Sequence, residues 1–128
     1  MEAFVIPATK NSPEIVLDPE NRDFRFSGLS VPENASAFYE PIILWLRQNM
    51  AQVPDGSMFA FNLPYFNSSS LKAIYLILME IKKGADLGRT YPVTWAVDDD
   101  DEFMHEAANT FSEMLGMPLI VVSTDQAA

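Results

Sequence analysis

The sequence predicts a single α/β domain: a mixed, mostly parallel β-sheet with an N-terminal hairpin and about three flanking helices. Two strand-like segments near the start are joined by a short turn, which makes the hairpin. Helical and strand-like patterns then alternate as α, β, α, β, α, β, the order that lays parallel strands side by side with helices packed across them. Composition agrees, since 48% of the 128 residues are hydrophobic and 12% aromatic, enough apolar surface for an independent core. No proline- or glycine-rich linker and no internal repeat divides residues 1–128 into more than one domain.

Residues 14–17 and 23–29 cluster or alternate like strands, and Asp18, Pro19, Glu20 and Asn21 between them have turn chemistry. Ala35, Phe38, Tyr39, Ile42, Ile43 and Leu46 follow the i, i+3, i+4 rule, which predicts an amphipathic helix over 35–51 with Asn34 or Ser36 as its N-cap. Residues 58–63 form a compact apolar run suited to a central strand, ended by Pro64. Ser68, Ser69 and Ser70 are able to cap a second helix over 69–83, and Lys82, Lys83 and Gly84 carry the charge and glycine signals of its C-terminus. Leu71, Ile74, Tyr75, Leu78 and Ile81 form its core stripe. Leu76, Ile77 and Met79 make it apolar nearly all round, as expected of a helix buried on most sides or docking a partner. Residues 91–97 read as another strand, Asp98 to Glu102 as an acidic loop and helix start, and Met104, Ala107, Ala108, Phe111 and Leu115 as the stripe of a third helix closed by Gly116. Residues 117–123 read as a final buried strand.

Charge and residue usage exclude whole classes of function. The net charge is −10 and the pI about 4.3, so the chain has no basic stripe with which to bind nucleic acid or an anionic membrane. With no cysteine there is no disulfide, cysteine–zinc or thiol chemistry. The N-terminal segment carries Glu2 where a signal peptide would carry lysine or arginine, and the longest apolar run, Ile74 to Met79, is far short of the roughly 18 residues of a membrane span. A cytoplasmic protein without membrane insertion is expected.

Each chemical constellation has a simple structural role beside the functional one. Asp98 to Glu102 invites a metal, but lacks the spaced ligands and glycine of a calcium loop; an aspartate capping the third helix, with its neighbours at the positive helix end, accounts for the run. His105 is the one histidine, no G-x-S-x-G elbow accompanies it, and no glycine spacing matches a phosphate-binding loop. No catalytic residue, metal or cofactor is therefore assigned. The segment Tyr65 to Lys72 joins a buried strand to the apolar helix. Asn67 turning the chain and a serine hydroxyl capping the helix would explain it, and so would a phosphoacceptor, because a phosphate beside free helix N–H groups is tolerated.

Gly28 to Asn34, then Phe38, Tyr39, Pro41 and Trp45, then Tyr65 to Ser70 with Lys72, then Val93, Thr94 and Trp95 before the acidic run, together resemble the SiaC family of bacterial regulatory phosphoproteins over about residues 5 to 122. The resemblance implies a fold similar to anti-anti-sigma factors of the SpoIIAA (STAS) type. It implies a non-enzymatic switch: the unphosphorylated protein binds and activates a diguanylate cyclase in cyclic-di-GMP signalling, with biofilm or aggregation as the controlled behaviour. A partner-switching serine/threonine kinase would phosphorylate the hydroxyl after the motif asparagine, and a PP2C-type phosphatase would restore it. By motif that hydroxyl is Ser68, where the family usually has threonine, with Ser69 and Ser70 as fallback acceptors. Tyr65, Phe66, Asn67, Ser69 and Lys72, and the loop residues Pro32, Glu33 and Asn34, become candidate partner contacts, the loop on condition that the sheet order brings it near the phosphosite. Lys72 is placed to pair with the phosphate. Two other readings remain: an anti-anti-sigma factor that binds an anti-sigma kinase, and a small metal-dependent hydrolase using the 98–102 carboxylates.

Overall fold

Asp18 and Asn21 make the first turn as their chemistry dictates. The Asn21 N–H donates to Asp18 Oδ1 at 3.2 Å and Asn21 Nδ2 to Oδ2 at 2.7 Å, while Arg22 takes the left-handed conformation that reverses the chain. The hydrogen bonds from Asn21 hold the Asp18 carboxyl below its ordinary pKa. This turn joins β2 (Glu14–Asp18) to β3 (Asp23–Ser27), paired antiparallel. The computed structural model describes residues 2–124. Within them follow α1 (Ala35–Asn49), β4 (Phe59–Asn62), α2 (Ser68–Ala85), β5 (Val93–Val97), α3 (Glu102–Leu115) and β6 (Ile120–Ser123), with β1 (Phe4–Ile6) at the start. The fold class expected from the sequence is the one observed, a mixed α/β sheet with three helices.

The six strands lie in the sheet in chain order. Pairing is antiparallel from β1 to β3 and parallel from β3 to β6. Alternation along the strands divides the sheet into two faces. Ile15, Leu17, Phe24, Phe26, Phe59, Phe61, Val93, Trp95 and Val97 are buried beneath the helices, whereas Val5, Arg25, Ala60, Thr94 and Ile120 run across the opposite face and stay wholly or partly exposed. Register stacks aromatic rings from strand to strand: Phe26 lies on Phe61 at 4.3 Å and Phe61 on Trp95 at 5.7 Å, contacts worth about 0.5–1.5 kcal/mol each beyond burial. Trp95 Nε1 is buried without a hydrogen-bond partner among the described residues, and its ring meets Phe66 and Phe111 edge-on.

The helices pack side by side with α2 in the middle. Asn34 caps α1 by accepting from Ala37 N–H at 3.1 Å. Pro41 lies inside α1, a loss of roughly 3 kcal/mol in an isolated helix, offset because Tyr39, Ile42 and Leu46 on the same helix are fully buried at about 1.5–3 kcal/mol each. Glu80 on α2 is buried and accepts from Arg47 Nε on α1 at 3.1 Å. Asp101 caps α3 through Met104 N–H, and Gly116 closes that helix in the left-handed conformation, both as expected.

Four expectations need correction. The core stripe of α2 is made by Ala73, Ile74, Ile77, Leu78 and Ile81, not by Leu71, which is exposed, or Tyr75, which is half-buried, because a helix apolar on nearly every side leaves its inward face undetermined by spacing. The helix read as 69–83 runs from Ser68 to Ala85, so Gly84 does not stop it; a Cβ there would lie 2.8 Å from Met50 Cε and 3.2 Å from the Tyr91 ring, and close packing explains the glycine. The cap of α2 is Asn67, not a serine. The final strand is shorter than 117–123 and is an edge strand, not a buried one, with Ile120 and Val121 exposed, because nothing in the described chain pairs with its outer side. The opposite edge, β1, was not foreseen: three residues carry too little periodicity to announce a strand.

Candidate phosphoacceptor site and its flanking grooves

The chain leaves β4 through Leu63 and reaches α2 by way of Phe66, whose ring is buried against Trp95, Phe103 and Phe111. An isolated parallel bridge zips this segment to the loop that follows β3: Ser30 N–H donates to the Tyr65 carbonyl at 3.0 Å and Asn67 N–H to the Ser30 carbonyl at 3.1 Å. Thus Ser30 is placed directly beside the start of α2. Pro32, Glu33 and Asn34 continue from it into α1, with Glu33 and Asn34 exposed and the Asn34 side chain occupied in capping. Tyr65 is exposed next to the anchored Phe66.

Asn67, with extended φ and ψ, is the centre of a hydrogen-bonded cluster. Its Oδ1 accepts from Ser70 N–H at 3.1 Å, from Ser70 Oγ at 3.0 Å and from Ser69 Oγ at 2.9 Å. Ser70 is fully buried, its Oγ also 3.1 Å from the Ser30 carbonyl and 2.9 Å from Ser30 Oγ, which lies 2.5 Å from Tyr39 Oη. Proton counting directs these hydroxyls: Ser30 donates to Ser70, so Tyr39 donates to Ser30, and the single Ser70 proton is shared between Asn67 Oδ1 and the Ser30 carbonyl. Burial pushes the Tyr39 phenol up to about 12. The loop from Ser30 to Asn34 is thus near the phosphosite at its Ser30 end, which meets the condition attached to it in the sequence. The hydrogen bonds that tie Tyr39 and Ser30 to Ser70 leave no pattern in the sequence, because Ser30 and Ser70 are 40 residues apart.

The three serines are therefore not equivalent. Ser70 is inaccessible, Ser69 is exposed but has its proton committed to Asn67, and Ser68 is exposed with no hydrogen-bond partner among the described residues. Ser68 is the first residue of α2, and the first turn of that helix contains no acid, so free N–H groups and the helix dipole favour an anion there. Lys72, one turn on, is exposed and has no ion-pair partner among the described residues.

Two grooves flank α2. The one toward α3 is about 490 Å³, walled by Leu71, Tyr75, Phe103, Phe111 and Met114, with Ser68 and Lys72 at its rim and Glu106 across from them. Leu71, Phe103 and Met114 are exposed, which leaves this a largely apolar surface in water. The other, toward α1, is about 330 Å³ and includes Ser69, Lys72, Arg47 and Glu40. Ser68 and Ser69 thus open onto different grooves, and Lys72 borders both. This explains how α2 is apolar on nearly every side: its middle position gives it two flanks as well as a base.

Two of the carboxylates in 98–102 have separate structural duties. Asp101 caps α3 and Asp98 accepts from Thr124 Oγ1, and among the described residues no group of three His, Asp or Glu side chains is placed to hold a metal ion. No helix among the described residues is long and apolar enough to cross a membrane.

A family model described as the SiaC family regulatory phosphoprotein matches residues 6–124. The structure is similar to SiaC of Pseudomonas aeruginosa, with a TM-score of 0.84 and 27% identity over 96% of this chain and 99% of that one. It is equally similar, at TM-score 0.84 and 28% identity over 94% of this chain and 98% of the other, to a chain in the crystal structure of the Pseudomonas aeruginosa diguanylate cyclase SiaD in complex with its activator SiaC. Among curated sequences, PA14_02130 of Pseudomonas aeruginosa (strain UCBPP-PA14) is 28% identical over 121 residues, 94% of this chain and 96% of that protein.

Proposed function

This chain belongs to the SiaC family of regulatory phosphoproteins, a family of regulators and not of enzymes, and from that premise we propose that it activates a diguanylate cyclase by direct binding while Ser68 carries a free hydroxyl. A partner-switching kinase phosphorylates Ser68, which ends activation, and a PP2C-type phosphatase restores it. The observation that carries this reading is the position of Ser68: the one accessible, unpartnered hydroxyl of the serine cluster, on the rim of the exposed apolar groove between α2 and α3. The similarity to the SiaC chain bound to SiaD, extending over 94% of the sequence, supports a cyclase as the partner.

The physics of the switch is local. At the start of α2 a phosphate gains about 0.3–1 kcal/mol from the dipole and N–H groups, so the domain stays folded. A partner that covers the groove must instead strip water from a dianion at its rim, with Glu106 opposite adding repulsion. A net loss of about 2–3 kcal/mol weakens binding roughly 30- to 150-fold. The test is the rate of cyclic-di-GMP synthesis by the cognate cyclase alone, with Ser68→Ala, and with protein fully phosphorylated at Ser68. Stimulation by Ser68→Ala and none by the phosphoprotein is expected; no effect of either on the rate removes the cyclase as target.

A further inference from the structure

We propose that Asn67 selects which serine receives the phosphate, and hence onto which of the two grooves the charge is placed. The proposal rests on the phosphoswitch reading above and deepens it. Phosphorylation joins the serine Oγ to the γ-phosphorus of a nucleoside triphosphate held by the kinase, breaks the bond from that phosphorus to the β,γ-bridging oxygen, releases the nucleoside diphosphate, and passes the hydroxyl proton to a base of the kinase. The serine must therefore be free to turn toward the kinase and to give up its proton.

Asn67 Oδ1 withholds that freedom from Ser69, whose proton it accepts at 2.9 Å while capping the helix through Ser70 N–H. The Ser70 proton is held between Asn67 Oδ1 at 3.0 Å and the Ser30 carbonyl at 3.1 Å. An amide oxygen accepts a hydrogen bond but is too weak a base to take the proton, so a held serine is oriented without being activated. Ser70 is in addition fully buried. Ser68 and Ser69 are both exposed to solvent, so the hydrogen bond to Asn67, not burial, is what separates the two. The choice matters because Ser68 borders the apolar groove toward α3, whereas Ser69 borders the groove toward α1.

The experiment treats the full-length protein with the cognate kinase and ATP and locates the phosphate by fragmentation mass spectrometry. In the unsubstituted protein phosphate is expected on Ser68 alone. In Asn67→Ala the share on Ser69 should rise at least tenfold, and Asn67→Asp, which keeps an acceptor oxygen in place, should restore Ser68 alone even where the overall rate falls. Asn67→Gly, a residue tolerated at helix N-caps, repeats the Asn67→Ala test with the helix start preserved, checked by circular dichroism. Phosphate confined to Ser68 in both Asn67→Ala and Asn67→Gly, or loss of phosphorylation from both, overturns the selector role while leaving the switch reading intact. An unsubstituted protein that takes no phosphate overturns the switch reading and the selector with it.

Discussion

Ser68 and Ser70 are two residues apart and chemically identical, yet one is open to solvent and the other is sealed inside a chain of hydroxyls that begins at Tyr39. Lys72 is the exposed cation within one turn of Ser68, and an exposed pair of this kind is worth up to about 1 kcal/mol. Lys72→Ala should therefore speed phosphatase release of the Ser68 phosphate about two- to fivefold, read as the initial rate of inorganic phosphate formation. The buried end of the chain titrates instead. Tyr39 in the folded protein ionises at about 12 rather than near 10, so its contribution to stability is complete below pH 10 and is lost as pH rises from 10 toward 12. Urea melts over that range should show a fall of about 2–3 kcal/mol that Tyr39→Phe largely abolishes, at a cost near 1 kcal/mol at neutral pH. The sequence motif marks the stretch from Tyr65 to Lys72 and the loop that starts at Ser30, but it assigns the cap to a serine, because a side-chain cap looks the same in sequence whichever of four adjacent polar residues makes it, and it gives no sign that Tyr39 and Ser30 hydrogen-bond to Ser70.

At the scale of elements, the legible parts are those with long periodic patterns. All three helices and the central strands follow from apolar spacing, since Tyr39, Ile42 and Leu46, or Met104, Ala108 and Phe111, are buried as their intervals require. The edges are not legible: Leu119 to Val122 has the same apolar character as a central strand, and only the sheet order shows that it lies outermost. Helix α3 buries Met104, Ala108, Phe111 and Leu115, and the Phe111 ring lies 5.6 Å from Trp95 of β5 and 6.4 Å from Phe66. Phe111→Ala should cost about 3–5 kcal/mol in denaturant unfolding and loosen the groove that borders Ser68. Phe103→Ala removes a 59% exposed ring from the same groove together with its contact to Phe66, so it should cost about 0.5–1.5 kcal/mol, well below Phe111→Ala, while reducing cyclase activation.

For the molecule as a whole, a net charge of −10 on 128 residues is a repulsive load, heaviest at Asp98 to Glu102. Raising sodium chloride from about 0.02 M to about 0.5 M should lift the melting temperature by several degrees as the acids are screened, with no change in the far-ultraviolet spectrum. The strand order has a further effect on how the molecule comes into being. Because β1 to β6 stand in the sheet as they stand in the chain, each strand after the first pairs with the one made just before it. No pairing waits for a distant segment, and the longest closure is a single helical crossover. The sheet is thus able to grow by one edge during synthesis from the N-terminus, with β6 added last, and refolding should proceed faster than in sheets of equal size whose neighbours lie far apart in sequence.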